Sequence, residues 1–181
     1  PPPDEYVSAL LACIGRRQQT ILLEPGRSLV GNAGLLLTRV EYLKHGEARN
    51  FAVVDAAMND LIRPALYDAY HEIRPVKSST VQSMPYEIVG PVCETGDFLG
   101  HARELALSEG DLLAVMSAGA YGMSMSSNYN SRARAVEVMV DGAAVHLIRA
   151  RERVDELFAG ERLLASWAGN EAPSSVRARN R

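Results

Sequence analysis

The chain has 181 residues, 47% hydrophobic and 23% charged, an ordinary globular composition with enough length for one substantial core. Its 19 Lys+Arg against 22 Asp+Glu leave a net charge of −3, which argues against the basic face of a sequence-independent nucleic-acid binder. Two cysteines without CxxC spacing, Cys13 and Cys93, argue against a disulfide framework and a zinc site, and fit a reducing, cytoplasmic compartment.

No metal is expected, because the four histidines show no ligand spacing. Residues 112–131 carry no charge for 20 residues but hold five serines and two asparagines, so they do not read as a membrane span. The opening Pro1-Pro2-Pro3-Asp4-Glu5 lacks the basic stretch of a signal peptide. It also lacks an initiator Met, which hints at a fragment. Only Lys44 and Lys77 are lysines, so chemistry that needs an amine has two candidates; the other 17 basic residues are arginines, suited to carboxylates and phosphates.

In chain order, Asp4 is expected to cap a helix with Val7, Leu10, Leu11 and Ile14 on one face. Residues 20–23 form an apolar run that reads as a buried strand, ending in the turn Glu24-Pro25-Gly26-Arg27. Ser28 is expected to open a short helix of small residues through Gly34. Residues 35–43, 50–55, 86–92 and 112–116 read as strands, with Lys44-His45-Gly46 as a turn. Residues 135–140 and 145–149 read as a hairpin turning at Asp141-Gly142, with Val136, Val138 and Val140 on one face. One helix interrupts the strands, capped by Asn59 or Asp60 and burying Ile62, Ala65, Leu66 and Ala69, with Pro64 in its first turn. The fold class is α+β and mainly β, a barrel or sandwich. From Gly169 onward the tail is poor in apolar residues and reads as irregular.

Several segments carry groups that could do chemistry. Glu24-Pro25-Gly26-Arg27-Ser28 ends one element and opens a helix, where freed N–H groups favour an anion; the alternative is a simple turn. Arg63 and Tyr67, four apart on a helix, share a face able to hold a carboxylate, although a solvated Arg beside a half-buried Tyr is the commoner arrangement. GPVCETGD at 90–97 offers the Cys93 thiol as proton donor or nucleophile and two carboxylates, Glu94 and Asp97, for an ammonium; otherwise it is a turn with an incidental Cys. A Cys93–His101 pair is imaginable, and sequence nearness alone does not support it. The small-residue corner at 118–123 projects Tyr121, whose hydroxyl suits a phosphate or carboxylate; alone it is usually a bend. Ser127-Asn128-Tyr129-Asn130 with Arg132 reads as a polar loop.

Taken in order, EPGRSLVGNAG at 24–34, NDLIRPALYDAYH at 59–71, GPVCETGD at 90–97, GAYGMSMSSNYN at 119–130 and RARAVEV at 132–138 resemble the C-terminal half of the diaminopimelate decarboxylases, fold-type III pyridoxal-phosphate enzymes. The resemblance covers residues 1–165 or so. It implies that 1–34 are the last βα portion of a (β/α)8 barrel, that 35–165 are the C-terminal β domain, and that 166–181 are an irregular tail. It implies pyridoxal 5'-phosphate as cofactor, held through Glu24, Pro25, Gly26, Arg27 and Tyr121. It assigns Arg27, Arg63, Tyr67, Glu94 and Tyr121 to an amino-acid substrate, meso-diaminopimelate, and Cys93 to proton donation in a homodimer with shared active sites.

The arginines agree with an anionic substrate end, where an ornithine- or arginine-type decarboxylase would want an acid. The family's cofactor lysine has no counterpart: Lys44 lies at an expected turn and Lys77 in a polar loop, so the chain alone is expected to be inactive. From a different class, a non-catalytic β module for dimerisation or partner binding is the alternative.

Overall fold

The computed structural model describes residues 2–15 and 18–164; the expected irregular tail at 166–181 lies outside them. Helix α1, Pro3–Ile14, starts behind Pro2, whose carbonyl accepts the Tyr6 N–H at 3.0 Å. Asp4 therefore sits within the first turn, where its charge complements the helix dipole, and its side chain makes no cap. Gly15 closes the helix with φ +69° and donates to the Leu11 carbonyl. None of the expected apolar stripe is buried.

The strand expected over 20–23 does not form. The segment is exposed, and no neighbouring strand among the described residues supplies the ladder of hydrogen bonds that a strand requires. Helix α2, Gly26–Val30, follows, with a 3₁₀ turn over Gly31–Ala33, so the short helix begins before Ser28.

The rest is mainly β, as the short strand-like runs and regular turns imply. Strands β1 (Leu36–His45), β2 (Asn50–Val54), β3 (Ile73–Pro75), β4 (Met84–Val89), β5 (Phe98–Leu105) and β6 (Leu112–Val115) form a six-stranded sheet ordered β3-β6-β1-β2-β4-β5. β2 and β4 pair in parallel and the remaining pairs are antiparallel. The parallel pair needs a crossover, and residues 55–83, with helix α3 (Arg63–Tyr67) and β3, supply it. The edges β3 and β5 approach each other, since a Cβ on Gly100 would stand 2.9 Å from Ile73 Cδ1. The sheet is thus nearly closed around Val40, Val54, Leu61, Ile88, Leu99, Leu113 and Val115. The buried Thr38 hydroxyl donates to Asp55 Oδ1 at 2.7 Å and accepts the Ala56 N–H at 3.0 Å, which satisfies it fully.

Strands β7 (Glu137–Asp141) and β8 (Ala144–Arg149) form a separate hairpin. Asp141 pairs with Ala144, so the turn is Gly142-Ala143, one residue later than expected, with the positive φ on Gly142. Val136 precedes the strand, and Val138 and Val140 are exposed. Lys44 lies within β1, opposite Phe51, and not in a turn.

The helix expected after Asn59 is shorter and differently capped. Asn59 and Asp60 are engaged elsewhere: Asn59 Oδ1 accepts from Arg132 Nε at 2.8 Å, and Asp60 Oδ2 accepts the Ala57 N–H at 3.0 Å. α3 starts at Arg63, with Ile62 as its N-cap, and ends at Asp68 in the left-handed region. Leu61 is the buried side chain here, whereas Leu66 is exposed, because a five-residue helix is too short to carry a stripe.

Candidate active site

Gly26, at the start of α2, has nothing within 4 Å of where a Cβ would stand, so its backbone is open to an approaching group. Gly31 and Gly119 serve packing instead. A Cβ on Gly31 would stand 3.5 Å from Arg27 Cγ and 3.9 Å from Ala120 Cβ, and one on Gly119 would overlap the Val30 carbonyl. The Gly119 N–H donates to the Gly31 carbonyl at 3.0 Å and the Ala118 N–H to the Gly34 carbonyl at 2.8 Å. These contacts fasten α2 to the corner at 117–121 and bring Arg27 beside the residue that precedes Tyr121.

Beneath them is an open cleft of about 350 Å³ lined by Arg27, Ser28, Gly31, Asn32 and Ser117. The Ser28 and Ser117 hydroxyl protons go to the Pro25 carbonyl (2.6 Å) and to Asn32 Oδ1 (2.8 Å). Arg27 contributes the cleft's positive charge, matched to a phosphate or carboxylate.

α3 presents Arg63 and Tyr67 one turn apart. Arg63 Cζ lies 5.6 Å from the centroid of the Tyr67 ring and 5.4 Å from that of Tyr121. Tyr121 holds φ 59°, a conformation costing a non-glycine residue on the order of 1 kcal/mol or more, and such strain gathers at functional sites. The buried His71 shares this neighbourhood. Burial lowers its pKa below the ordinary histidine range, opposed by the bond to the Met116 carbonyl and reinforced by Arg63, Arg27 and Arg103.

The loop at 90–97 makes a second group. Cys93 is a free, exposed thiol. The Glu94 carboxylate accepts from Gly96 N–H at 3.3 Å, Thr95 Oγ1 at 3.2 Å and Tyr129 Oη at 3.4 Å, and these bonds hold its pKa below the usual carboxylate value, Gly96 foremost. Asp97 does not serve an ammonium as the sequence suggested. It is buried, and its oxygens accept the Met58 N–H at 2.7 Å and the Val92 N–H at 2.8 Å, which shapes the loop. Nor does His101 pair with Cys93, for its Nδ1 meets Glu87 Oε2 at 2.6 Å and its ring lies against Phe98.

The structure therefore gathers Arg27, Arg63, Tyr67 and Tyr121, and sets Tyr129 against Glu94, the residue after Cys93. Tyr129, Asp97 and His71 were not singled out for these contacts by sequence. Only Tyr129 lay in a motif read as a polar loop, and Asp97 was given another role. Among the described residues no group of His, Cys, Asp and Glu could hold a metal ion, and no helix is long and apolar enough to cross a membrane.

Residues 6–119 match the family described as pyridoxal-dependent decarboxylase, C-terminal sheet domain. The chain belongs to this family. It is 60% identical over 160 residues to a diaminopimelate decarboxylase of Pseudomonas aeruginosa, covering 88% of this chain and 39% of that protein. A diaminopimelate decarboxylase of Neisseria meningitidis is 60% identical over 156 residues, covering 86% and 38%. The chain thus spans about two-fifths of the curated relatives it matches. Among solved structures, AQ1208 from Aquifex aeolicus superposes with a TM-score of 0.81 at 49% identity, over 87% of this chain and 40% of that one. Diaminopimelate decarboxylase from Helicobacter pylori complexed with L-lysine gives 0.76 at 40% identity, over 85% and 38%. A viral arginine decarboxylase bound to agmatine, at 19% identity and a TM-score of 0.59, shares the fold alone.

Proposed function

We propose that this chain forms the C-terminal part of a cytoplasmic, homodimeric pyridoxal-phosphate decarboxylase that converts meso-2,6-diaminopimelate to L-lysine and CO2. The observation that carries the reading is the Arg63 guanidinium lying within 5.6 Å of the Tyr67 ring and 5.4 Å of the Tyr121 ring. A guanidinium with two phenols and Arg27 at hand suits the distal carboxylate of a dicarboxylic amino acid. It would repel the cationic end of ornithine or arginine, and an unpaired arginine penalises a substrate that lacks the carboxylate.

In this reading residues 1–34 belong with a (β/α)8 barrel, 35–165 form the β domain, and 166–181 are an irregular extension. Glu24, Pro25, Gly26 and Arg27 border the cofactor phosphate, and Tyr121 touches cofactor and substrate together. The positive, open cleft beside Arg27 and the bare backbone at Gly26 are compatible with that group. Pyridoxal phosphate, when bound, supplies an electron sink for the bond pair left as CO2 departs. Its lysine would come from the barrel, since Lys44 lies in β1 and Lys77 follows β3.

Cys93 Sγ–H gives its proton to the carbon that lost CO2, and the thiolate regains one from solvent. Glu94, ionised at neutral pH, takes the substrate ammonium. Both act across a two-fold axis in the partner's site, which accords with an exposed loop bonded to Tyr129 and not to the Arg63 group. Full-length enzyme should release CO2 from meso-diaminopimelate and not from ornithine. Preference for ornithine would overturn the reading.

A further inference from the structure

His71 is 1% exposed, yet only half of its imidazole is satisfied. Nδ1 lies 2.8 Å from the Met116 carbonyl, an acceptor only, so Nδ1 carries the proton and the neutral ring leaves Nε2 with a lone pair. Nε2 is buried without a partner among the described residues. A buried acceptor in that state needs a donor.

The neighbourhood supplies one. Arg63 Nε is likewise buried and unpartnered, and of the cations acting on His71 it acts most strongly, ahead of Arg27 on α2 and Arg103 on β5. Arg103 Nε is buried and unpartnered too, but it lies against Gly100, where a Cβ would stand 2.6 Å from it, and its guanidinium is stacked 4.0 Å above the Tyr70 ring. The bond to Met116 also ties the segment after α3 to the end of β6, from which the corner bearing Tyr121 departs. His71 is thus anchored to the same frame as one of the two rings that flank Arg63.

We propose that His71 is a positioning residue for Arg63: one water, accepting the Arg63 Nε–H and donating to His71 Nε2, holds the guanidinium beside the Tyr67 and Tyr121 rings. The bond uses the inner edge of the guanidinium and leaves its outer NH groups for the carboxylate. Only the Nδ1–H tautomer can perform this, and the Met116 carbonyl selects it. The inference rests on the reading that Arg63 holds the substrate's distal carboxylate.

The test compares two amides in the full-length holoenzyme. A Gln side chain carries its amide to about the place of Nε2, whereas an Asn amide stops near Nδ1. His71→Gln should therefore keep the acceptor for Arg63, and His71→Asn should keep only the bond to Met116. We expect His71→Asn and His71→Leu to raise KM for diaminopimelate about tenfold, with kcat within about threefold, and His71→Gln to restore most of the loss. The inhibition constant of D-lysine, which lacks the distal carboxylate, should show no such rise. The inhibition constant of pimelate, a dicarboxylate without an amine to react, should follow the same order as a pure binding readout.

Rescue by Asn in place of Gln, or equal losses for diaminopimelate and D-lysine, would overturn the proposal and leave His71 structural. Arg63→Leu is the control for the underlying reading. If it fails to separate the two ligands, that reading falls. If it separates them and the His71 variants do not, only the role of His71 falls.

Discussion

Arg63 of α3 and Tyr121 of the corner beyond β6 meet as cation and ring, 5.4 Å from Cζ to centroid. Neither is informative in isolation, since one is an arginine on a five-residue helix and the other an aromatic in a bend. Their meeting depends on the sheet, because β6 lies between β3 and β1 while α3 sits in the crossover that leads to β3. Arg63→Leu should remove a charge-assisted contact worth roughly 1.5–3 kcal/mol, seen as a steep rise in KM for diaminopimelate. Steady-state kinetics on the full-length enzyme check it, and an unchanged KM would place the distal carboxylate elsewhere.

Cys93→Ala should slow turnover by about 10²-fold or more, the usual size of a general-acid effect. The thiol is exposed and free, so its loss should leave the melting temperature and the cofactor absorbance close to wild type. Turnover that survives the substitution would make another group the donor.

Asp97→Asn should disturb the loop that carries Cys93. Both carboxylate oxygens accept backbone N–H groups, from Met58 and Val92, and an amide must turn its own NH2 toward one of them. The cost expected for a buried unsatisfied donor is about 1–3 kcal/mol, measurable as a shift in denaturation midpoint. Gly90 adds to the effect, because a Cβ there would overlap Asp97 Oδ2 and the two segments have no slack.

The α+β, mainly β class was legible, as were β1, β2, β4, β6 and both strands of the hairpin, because alternation and turn residues are local signals. β3 and β5 were not. β3 has three residues including Pro75, and β5 holds Gly100 and Ala102, the latter at φ 48°, with shifts in register against β4. The extended run at 20–23 misled for the opposite reason, since its apolar content is that of a strand and its surroundings here are not. Within the site, helical spacing made legible only that Arg63 and Tyr67 share a face, and their assignment to a substrate is what the family resemblance implies. The roles of Asp97, Tyr129 and His71 come from contacts between distant segments that no spacing encodes.

His71 gives the fold a dependence on acid. Its pKa is lowered chiefly by burial, so the unfolded chain takes up a proton at higher pH than the folded one. Its contribution to stability is complete above the unfolded value of about 6.5 and is lost as pH falls from there through the lowered folded value. Chemical denaturation across that window should show a slope that His71→Gln flattens.

Mixing subunits tests the shared site. A Cys93→Ala subunit paired with one lacking the barrel lysine should regain part of the activity, since one site of each mixed dimer carries both defects and the other carries neither. Demonstrated heterodimers without activity would confine Cys93 to its own subunit.

The parallel pairing of β2 with β4 has a kinetic consequence. The β1–β2 and β4–β5 ladders can close locally, but the β1–β6 ladder must wait for β6, and the β2–β4 ladder for the crossover of residues 55–83. Much of the native ladder therefore joins residues far apart in sequence, a high contact order that slows folding, whereas the β7–β8 hairpin closes on itself. Pulse-labelled hydrogen exchange should find the β1 amides bonded to β2 protected before those bonded to β6.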